Sequence, residues 1–219
     1  MGALQSVAIL GGTGELGEGL AIRLCRGREV LVGSRDPARA SARAAEYASR
    51  SGCRAISGAS NSEAAGRGDY VVLATPASAL PGLLDEVAGL IARDAIVISP
   101  VVPMSRRSGL FYHDPSQLGP GVRSAAEYVR RRTGLRVAAT YHTLPAALLA
   151  DPSARLDLDA LVAASDEDFE ALRRDLSVEG IRYLHAGPLE VAAYLEQLVP
   201  LLLNVGRRNG IRTPSLKVV

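Results

Sequence analysis

The amino-acid sequence predicts an α/β protein built on a doubly wound, mainly parallel sheet. Short apolar runs rich in β-forming residues recur along the chain, and segments with helical spacing separate them; the main runs are VAIL, EVLVGS, DYVVLATP and AIVISP. Such alternation is typical of parallel sheets that helices cover on both faces. A glycine cluster directly after the first run narrows the prediction to the Rossmann type of this fold.

The glycine cluster lies between the first strand and the first helix. In VAILGGTGELGEGLAIRLC, which begins at Val7, the residues Gly12, Gly14 and Gly17 have the GxGxxG spacing. The first glycine allows a sharp turn, the second lets a pyrophosphate approach the backbone, and the third lets helix and strand pack closely. The following helix directs free N–H groups at its N-terminus toward a phosphate. The turn therefore predicts nucleotide binding, although a glycine-rich turn can also be only a turn.

The end of the second strand predicts which dinucleotide binds. About twenty residues beyond the glycine turn, an NAD-binding protein normally carries an Asp or Glu that binds the ribose hydroxyls. This chain has Ser34 and Arg35 there, and Arg39 follows one helical turn later. A hydroxyl beside guanidinium groups suits a phosphate dianion. We expect these residues to bind the 2′-phosphate of NADP; alternatively, both arginines are ordinary surface residues.

Later strands also end in polar or proline-containing turns. In open parallel sheets ligands bind at the carboxyl ends of the strands. This rule places five residues at a cleft, namely Thr75, Pro76, Ser99, Pro100 and Val101. The same residues are equally consistent with plain turn chemistry, in which prolines end strands. The strand that begins at Val137 brings His142 to the same edge, either against a second substrate or as a turn histidine bonded to backbone.

Composition limits the class of protein. There are 25 basic and 23 acidic residues, a formal net charge of +2, so we expect no nucleic-acid partner. The two cysteines form no CxxC motif and the three histidines are scattered, so no metal site is expected. The N-terminus has no basic leader and its apolar run is broken by glycines, which predicts a cytoplasmic protein without a membrane span.

The remaining segments define the expected organisation. Asn61 is expected to cap a brief helix, and residues 104–121 are expected to form a loop. A long apolar helix from Leu189 to Asn209, kinked or interrupted at Pro200, is expected to be buried between domains or subunits. We predict a dinucleotide-binding domain over 1–145, a small α/β domain over 146–219 that closes the cleft, and a homodimer.

Five segments, taken in order along nearly the whole chain, carry a more specific pattern: GGTGELGEGLAIRL, VLVGSR, SPVVPMSR, YHTLPAA and AGPL…LVPLLLNVGRRNG. Together they resemble the NADPH-dependent coenzyme F-420 reductases, also called F-420:NADP oxidoreductases. The resemblance implies that Thr13, Ser34, Arg35 and Arg39 contact NADP, and that His142 and Leu144 lie near the deazaflavin and nicotinamide rings. The complete set of cofactor-binding candidates is Gly12, Thr13, Gly14, Glu15, Leu16, Gly17, Ser34, Arg35, Arg39, Thr75, Pro76, Ser99, Val101, His142 and Leu144.

Two features depart from that family pattern. Glu15 and Glu18 lie in the turn that faces the phosphates, so their carboxylates must point outward to avoid like-charge repulsion. The loop from Arg107 to Pro120 is long and rich in proline, at the expected entrance for the coenzyme tail. The arginines that could meet the phosphate and glutamate groups of that tail are Arg106, Arg107, Arg207 and Arg208; alternatively, the last two only complement a helix dipole.

The predicted function is reversible direct hydride transfer between NADPH and the deazaflavin coenzyme F-420, a small-molecule co-substrate. Such a transfer requires no acid–base catalyst, so His142 and Leu144 are assigned to ring positioning rather than to proton transfer. Two alternative functions are also consistent with the sequence. One is an NADPH-dependent reductase of a small carbonyl or imine, with His142 as proton donor. The other is a non-catalytic NADP-binding sensor.

Overall fold

The computed structural model describes residues 5–219, which form one eight-stranded sheet, a separate two-stranded hairpin and eight α-helices. The spatial order in the large sheet is β10-β9-β8-β5-β4-β1-β2-β3, and β6 pairs with β7 in the hairpin. The strands are β1 Ser6–Leu10, β2 Glu29–Ser34, β3 Ile56–Ser60, β4 Tyr70–Leu73, β5 Ile96–Ser99, β6 Met104–Arg107, β7 Leu110–His113, β8 Arg136–Ala139, β9 Leu158–Ala163 and β10 Ile181–Gly187.

Helices cover both faces of the sheet, as the strand and helix alternation predicts. They are α1 Glu15–Leu24, α2 Pro37–Ser51, α3 Asn61–Ala65, α4 Leu80–Val87, α5 Ala125–Thr133, α6 Ala146–Ala150, α7 Asp166–Asp175 and α8 Ala192–Asn209. Each face has its own apolar core. In β1, Val7 and Ile9 pack into one core, while Ala8 and Leu10 pack into the other, because successive side chains of a strand point to opposite faces.

The sheet topology confirms the predicted doubly wound, mainly parallel fold. From β1 the chain proceeds through β2 and β3 to one side, and through β4, β5 and β8 to the other, with parallel pairing throughout. The order of the strands therefore reverses between β1 and β4, where open sheets of this type bind their ligands. Leu10 at the end of β1 lies opposite Leu73 at the end of β4, so the turns that follow these strands are neighbours.

The last two strands extend the same sheet. β9 and β10 are parallel to each other, and β9 joins β8 through one antiparallel pair, Ala139 with Ala163. The predicted domain boundary at residue 145 therefore stays a prediction. Such a boundary would assign strands of one continuous sheet to two domains.

The predicted loop over residues 104–121 is wrong in its first half, which forms the β6–β7 hairpin. Gly109, with φ +80°, and Ser108, with φ +49°, make the tight reversal between the two strands. This turn chemistry was present in the sequence as Ser-Gly between short runs, but the prolines and arginines around it favoured a loop.

The predicted cap at Asn61 is also wrong. The side chain of Ser60 caps α3 by accepting a hydrogen bond from the N–H of Glu63 at 3.0 Å. Asn61 is the first helical residue, and its buried amide lies against the glycine turn. A polar residue beside a serine at a helix start leaves the position of the cap ambiguous in a sequence.

The long C-terminal helix is continuous through Pro200, so the predicted interruption is wrong. Its N-terminal half is partly buried, with Leu195 5% exposed, whereas Leu201 is 58% exposed. Among the described residues, Leu189–Asn209 is the one helical segment long and apolar enough to span a membrane by length and composition. Only 28% of its most apolar part is buried, and a helix of a soluble protein that packs on a sheet can be equally long and apolar.

Candidate functional site

The glycine turn joins β1 to α1 by a set of close backbone contacts. Gly12 N–H donates to Ile9 O at 3.0 Å and to Gly33 O at 2.9 Å. A Cβ atom on Gly12 would lie 2.6 Å from Ile9 O, and one on Gly17 would lie 2.5 Å from Gly12 Cα. Glycine is therefore required at both positions, the first for the turn and the third for packing the helix against it.

The middle glycine of the motif faces open space. The nearest atom to a Cβ built on Gly14 is Gly11 O, at 3.8 Å, and Gly14 is exposed. Gly14 is the N-cap of α1 and no side chain caps that helix. The first N–H groups of α1 are therefore available to an anion that approaches over Gly14.

A buried amide holds the turn from the other side and was missed in the sequence. Asn61 Oδ1 accepts a hydrogen bond from Gly11 N–H at 3.1 Å. Gly11 has φ +71°, and a Cβ there would lie 2.7 Å from Ala74 O, so this position also requires glycine. The pair of adjacent glycines in the sequence could have indicated the role of Gly11. No neighbouring sequence feature indicates the role of Asn61, which lies 50 residues further along the chain.

The two acidic residues of the turn have different surroundings. Glu18 lies next to α2 and forms salt bridges with Arg43 at 2.8 Å and with Arg50. Its carboxylate is thereby neutralised, which removes the expected repulsion toward a phosphate. Glu15 is exposed and lies at the rim of two cavities, and the outward direction of its carboxylate stays a prediction.

The end of β2 presents unpaired positive charge. Ser34 is buried, and its Oγ accepts a hydrogen bond from Asp36 N–H at 3.2 Å, while Asp36 caps α2. Arg35 and Arg39 are exposed, and within residues 5–219 neither guanidinium donates a hydrogen bond or forms a salt bridge. The bond from Gly12 N–H to Gly33 O places this strand end directly beside the glycine turn.

A small cavity combines the glycine turn with the end of β4. Its volume is about 190 Å³; we call it the turn cavity, and it is lined by Gly14, Glu15, Leu16, Gly17, Leu73, Ala74, Thr75, Pro76 and Pro100. The predicted residues of two separate strand ends therefore meet here. Ser99 and Val101 are buried and do not line it.

A second cavity surrounds His142. Its volume is about 300 Å³; we call it the histidine cavity, and it is lined by Glu15, His142, Thr143, Leu144, Pro145, Ala146, Ala147, Val199, Leu202, Leu203, Arg212, Thr213 and Pro214. The two cavities share Glu15, so they adjoin. The walls are mainly apolar, as expected of a site for flat rings.

His142 is held in an unusual backbone segment. Tyr141 before it has φ +69°, and the Tyr141 hydroxyl lies 3.0 Å from the Tyr183 hydroxyl. Burial, with a smaller contribution from His113, lowers the pKa of His142 to about 3. The imidazole is therefore neutral at physiological pH, and its buried Nε2 has no hydrogen-bond partner in the part of the chain that the structure describes.

The hairpin is attached to α8 by polar contacts that sequence reasoning missed. The Asn204 amide accepts from Phe111 N–H and donates to Phe111 O, each at 2.8 Å. Glu196 is fully buried; it lies 3.1 Å from His113 Nε2 and accepts N–H bonds from the first residues of α5. Desolvation raises the pKa of Glu196. In the sequence, the position of Glu196 inside the apolar run LEQLVPLLL is the one feature that could have indicated a buried polar contact.

The four arginines expected near a coenzyme tail do not line the histidine cavity. Arg106 lies over the Phe111 ring at 5.7 Å and Arg107 over the Tyr112 ring at 6.0 Å, both within the hairpin. Arg207 and Arg208 are exposed at the end of α8. Among the described residues, the cation in the wall of the histidine cavity is Arg212, which is not one of the predicted site residues. Across residues 5–219, no group of three or more His, Cys, Asp or Glu side chains is placed to hold a metal ion.

The reversal of strand order, the glycine turn and the basic strand end define a protein with a Rossmann-type, dinucleotide-binding fold. Residues 6–103 match the family described as "NADP oxidoreductase coenzyme F420-dependent". An "F420-dependent NADP reductase" from Methanothermobacter thermautotrophicus is 34% identical over 98% of this chain and 95% of that protein. The chain belongs to the coenzyme F420-dependent NADP oxidoreductase family, which confirms the resemblance seen in the sequence.

Further similarities support the family and the fold. An "F420-dependent NADP reductase" from Methanocaldococcus jannaschii is 32% identical over 98% of this chain and all of that protein. A crystal structure of a putative F420-dependent NADP reductase from Arthrobacter has a TM-score of 0.76 at 22% identity, covering 99% of this chain and 100% of that chain. An imine reductase from Streptomyces aurantiacus has a TM-score of 0.62 at 20% identity, covering 93% of this chain and 63% of that one. At these identities the two structures are similar in fold alone.

Proposed function

We propose that this protein catalyses reversible hydride transfer between NADPH and the deazaflavin coenzyme F-420. The observation that carries the proposal is the position of Glu15 in the walls of both cavities, in a chain of this family. A dinucleotide on the glycine turn can then extend its nicotinamide toward the histidine cavity. The coenzyme ring would occupy that cavity against Leu144 and Leu202.

The chain has groups that are suited to bind both the pyrophosphate and the 2′-phosphate of NADP. The exposed Gly14 and the uncapped N-terminus of α1 would receive the pyrophosphate. Ser34, Arg35 and Arg39 would hold the 2′-phosphate, since both arginines lack a carboxylate partner among the described residues. When bound, NADPH supplies the hydride.

The protein contributes positioning and exclusion of water. Ring-to-ring transfer requires the two reacting carbons to be held at contact distance in a fixed orientation. Leu144 is 5% exposed and gives the cavity a rigid apolar wall. The neutral His142 contributes to the cavity wall without placing a positive charge beside a bound ring.

The carbonyl or imine reductase remains the rival activity, with His142 as proton donor. An imidazole with a pKa of about 3 holds no extra proton at neutral pH, which does not favour that role. The deciding assay incubates NADPH with F-420, beside a panel of ketones and imines. We expect bleaching of the visible deazaflavin absorption and no NADPH oxidation with the panel; the reverse result would exclude the proposal and support the rival.

A labelling experiment tests direct transfer. NADPH deuterated on the transferred face should give reduced coenzyme that carries deuterium on carbon, because a C–H bond does not exchange with water. Initial-rate plots should intersect, since both ligands must occupy the two cavities together. Parallel plots, or hydrogen derived from solvent, would contradict direct transfer.

We also propose that the protein is a cytoplasmic homodimer. Tyr194, Leu201 and Val205 are 68%, 58% and 42% exposed and recur at helical spacing on one face of α8. An apolar stripe of this kind favours association with a second copy. Light scattering after size-exclusion chromatography should give twice the chain mass, and Leu201→Glu should give the monomer mass; a wild-type monomer would exclude the dimer.

A further inference from the structure

A third cavity lies at the opposite end of α1 from the glycine turn. Its volume of about 570 Å³ exceeds that of the turn cavity and of the histidine cavity. We call it the arginine cavity, because Arg23, Arg26, Arg28 and Arg155 line it and, of the residues that the structure describes, Glu179 is the one carboxylate in its wall. α1 has 10 residues, so its two ends are separated by about 15 Å of helix. The cavity is therefore distinct from the proposed nucleotide site.

Two of the arginines have a structural role. Arg23 donates to the carbonyls of Leu148, Leu149 and Ala154 at 2.9 to 3.1 Å, and also to Asp151 O. The Arg28 guanidinium donates likewise to four carbonyls, among them Leu24 O at 3.2 Å and Ser177 O at 2.9 Å. All these acceptors are neutral, so both residues fix the backbone of the cavity and keep their positive charge.

The other two arginines have no such role. Arg26 and Arg155 are exposed, and within residues 5–219 neither guanidinium donates a hydrogen bond or forms a salt bridge. The nearby carboxylate of Asp151 is bonded to the N–H and hydroxyl of Ser153. Positive charge in the wall therefore exceeds negative charge, and two complete guanidinium groups remain free to bind.

Apolar side chains complete the cavity. Ile22, Leu156 and Val178 line it beside the arginines. A wall of this kind can receive a flat ring or a short aliphatic group while the guanidinium groups bind an anion, and the volume lies in the range of small-molecule sites. Guanidinium groups bind phosphate oxygens through paired N–H donors, which a single point charge cannot do.

We propose that the arginine cavity binds a small, multiply charged phosphate compound, of the class that includes pyrophosphate and nucleoside diphosphates. This site lies apart from the hydride-transfer site and does not depend on it. Arg26 and Arg155 bind the phosphate groups directly, and Arg23 and Arg28 supply additional positive charge from fixed positions.

The test uses calorimetry on the full chain saturated with NADP⁺, so that the nucleotide site is occupied. Pyrophosphate and ADP are titrated separately. We expect one site per chain, and a Kd at least tenfold higher in the Arg26→Ala/Arg155→Ala double variant, since loss of one charged contact corresponds to about a factor of ten. Tighter binding of ADP than of pyrophosphate would show that the apolar wall receives the base, and equal binding would show recognition of phosphate alone.

The matched control is Arg93→Ala, because Arg93 is also exposed but lies outside the cavity; its Kd should change less than twofold. Absence of binding at millimolar pyrophosphate and ADP would overturn the proposal, as would an unchanged Kd in the double variant. NADPH oxidation with F-420, measured on the same double variant, should match the wild type. Loss of NADPH oxidation in the wild-type protein would contradict the proposed hydride transfer, whereas the proposed phosphate site is judged by the Kd values alone.

Discussion

Replacing Arg35 by Glu should abolish the preference of this protein for NADP(H) over NAD(H). In the wild type we expect NADP(H) to bind at least about a hundredfold more tightly. Two charged hydrogen bonds to the 2′-phosphate contribute about 1.5 kcal/mol each at the low end of the usual range, and their sum of about 3 kcal/mol corresponds to about a hundredfold. The low end applies because Arg35 and Arg39 are exposed, so water screens their charges.

The measurement is isothermal titration of each nucleotide into wild type, Arg35→Glu and Arg93→Glu. The last variant makes the same change of charge at an exposed arginine of the α4–β5 connection, away from the end of β2. It should keep the wild-type preference. Equal affinities of the wild type for the two nucleotides would refute the assignment of Ser34 and Arg35, and loss of preference in Arg93→Glu would attribute it to overall charge.

Three further predictions concern the glycine turn and His142. Gly17→Ala should lower the free energy of unfolding by about 1–3 kcal/mol in chemical denaturation, because its Cβ would lie 2.5 Å from Gly12 Cα. The control is Gly82→Ala, which lies inside α4 with no atom near its Cβ and should leave the stability unchanged or raise it. His142→Ala should lower the hydride-transfer rate about ten- to a hundredfold without removing a pKa from the pH profile; a lost pKa would support the carbonyl or imine reductase. The pKa of His142 is about 3 in the folded protein against 6.5 ordinarily, so below pH 6.5 the unfolded chain takes up a proton that the folded chain does not. Stability should therefore fall by about 2 kcal/mol between pH 7 and pH 5 through this residue, and His142→Gln should remove that part of the loss.

The sequence predicted the fold well where the signal is local. The central strands β1, β2, β4 and β5 are short, mainly apolar runs, and the requirement for glycine at Gly12 and Gly17 follows from one turn. The carboxyl ends of β1 and β4 could be placed together because parallel strands end at a common edge. The predicted site residues Glu15, Leu16, Thr75 and Pro76 accordingly line one cavity.

The parts that the sequence did not predict depend on distant contacts. Asn61 holds Gly11 across 50 residues, and Asn204 holds Phe111 across 93. In both cases a single side-chain amide forms hydrogen bonds with backbone groups of another segment. The spacing of apolar residues in the sequence does not indicate such a contact. Arg212 reaches the histidine cavity from beyond the last helix, where no strand or helix pattern indicated its position.

The two bonds at the glycine turn define a unit of sequence that can be exchanged. Gly12 N–H donates to Gly33 O, just before the residues proposed to bind the 2′-phosphate, and Gly11 N–H donates to Asn61 Oδ1, just after β3. The segment between Gly33 and Asn61 is therefore held to the glycine turn by a hydrogen bond at each of its ends. Transplanting residues 34–60 between relatives should exchange the proposed 2′-phosphate site as one segment, while Gly33 and Asn61, which bond the glycine turn, stay in the host protein.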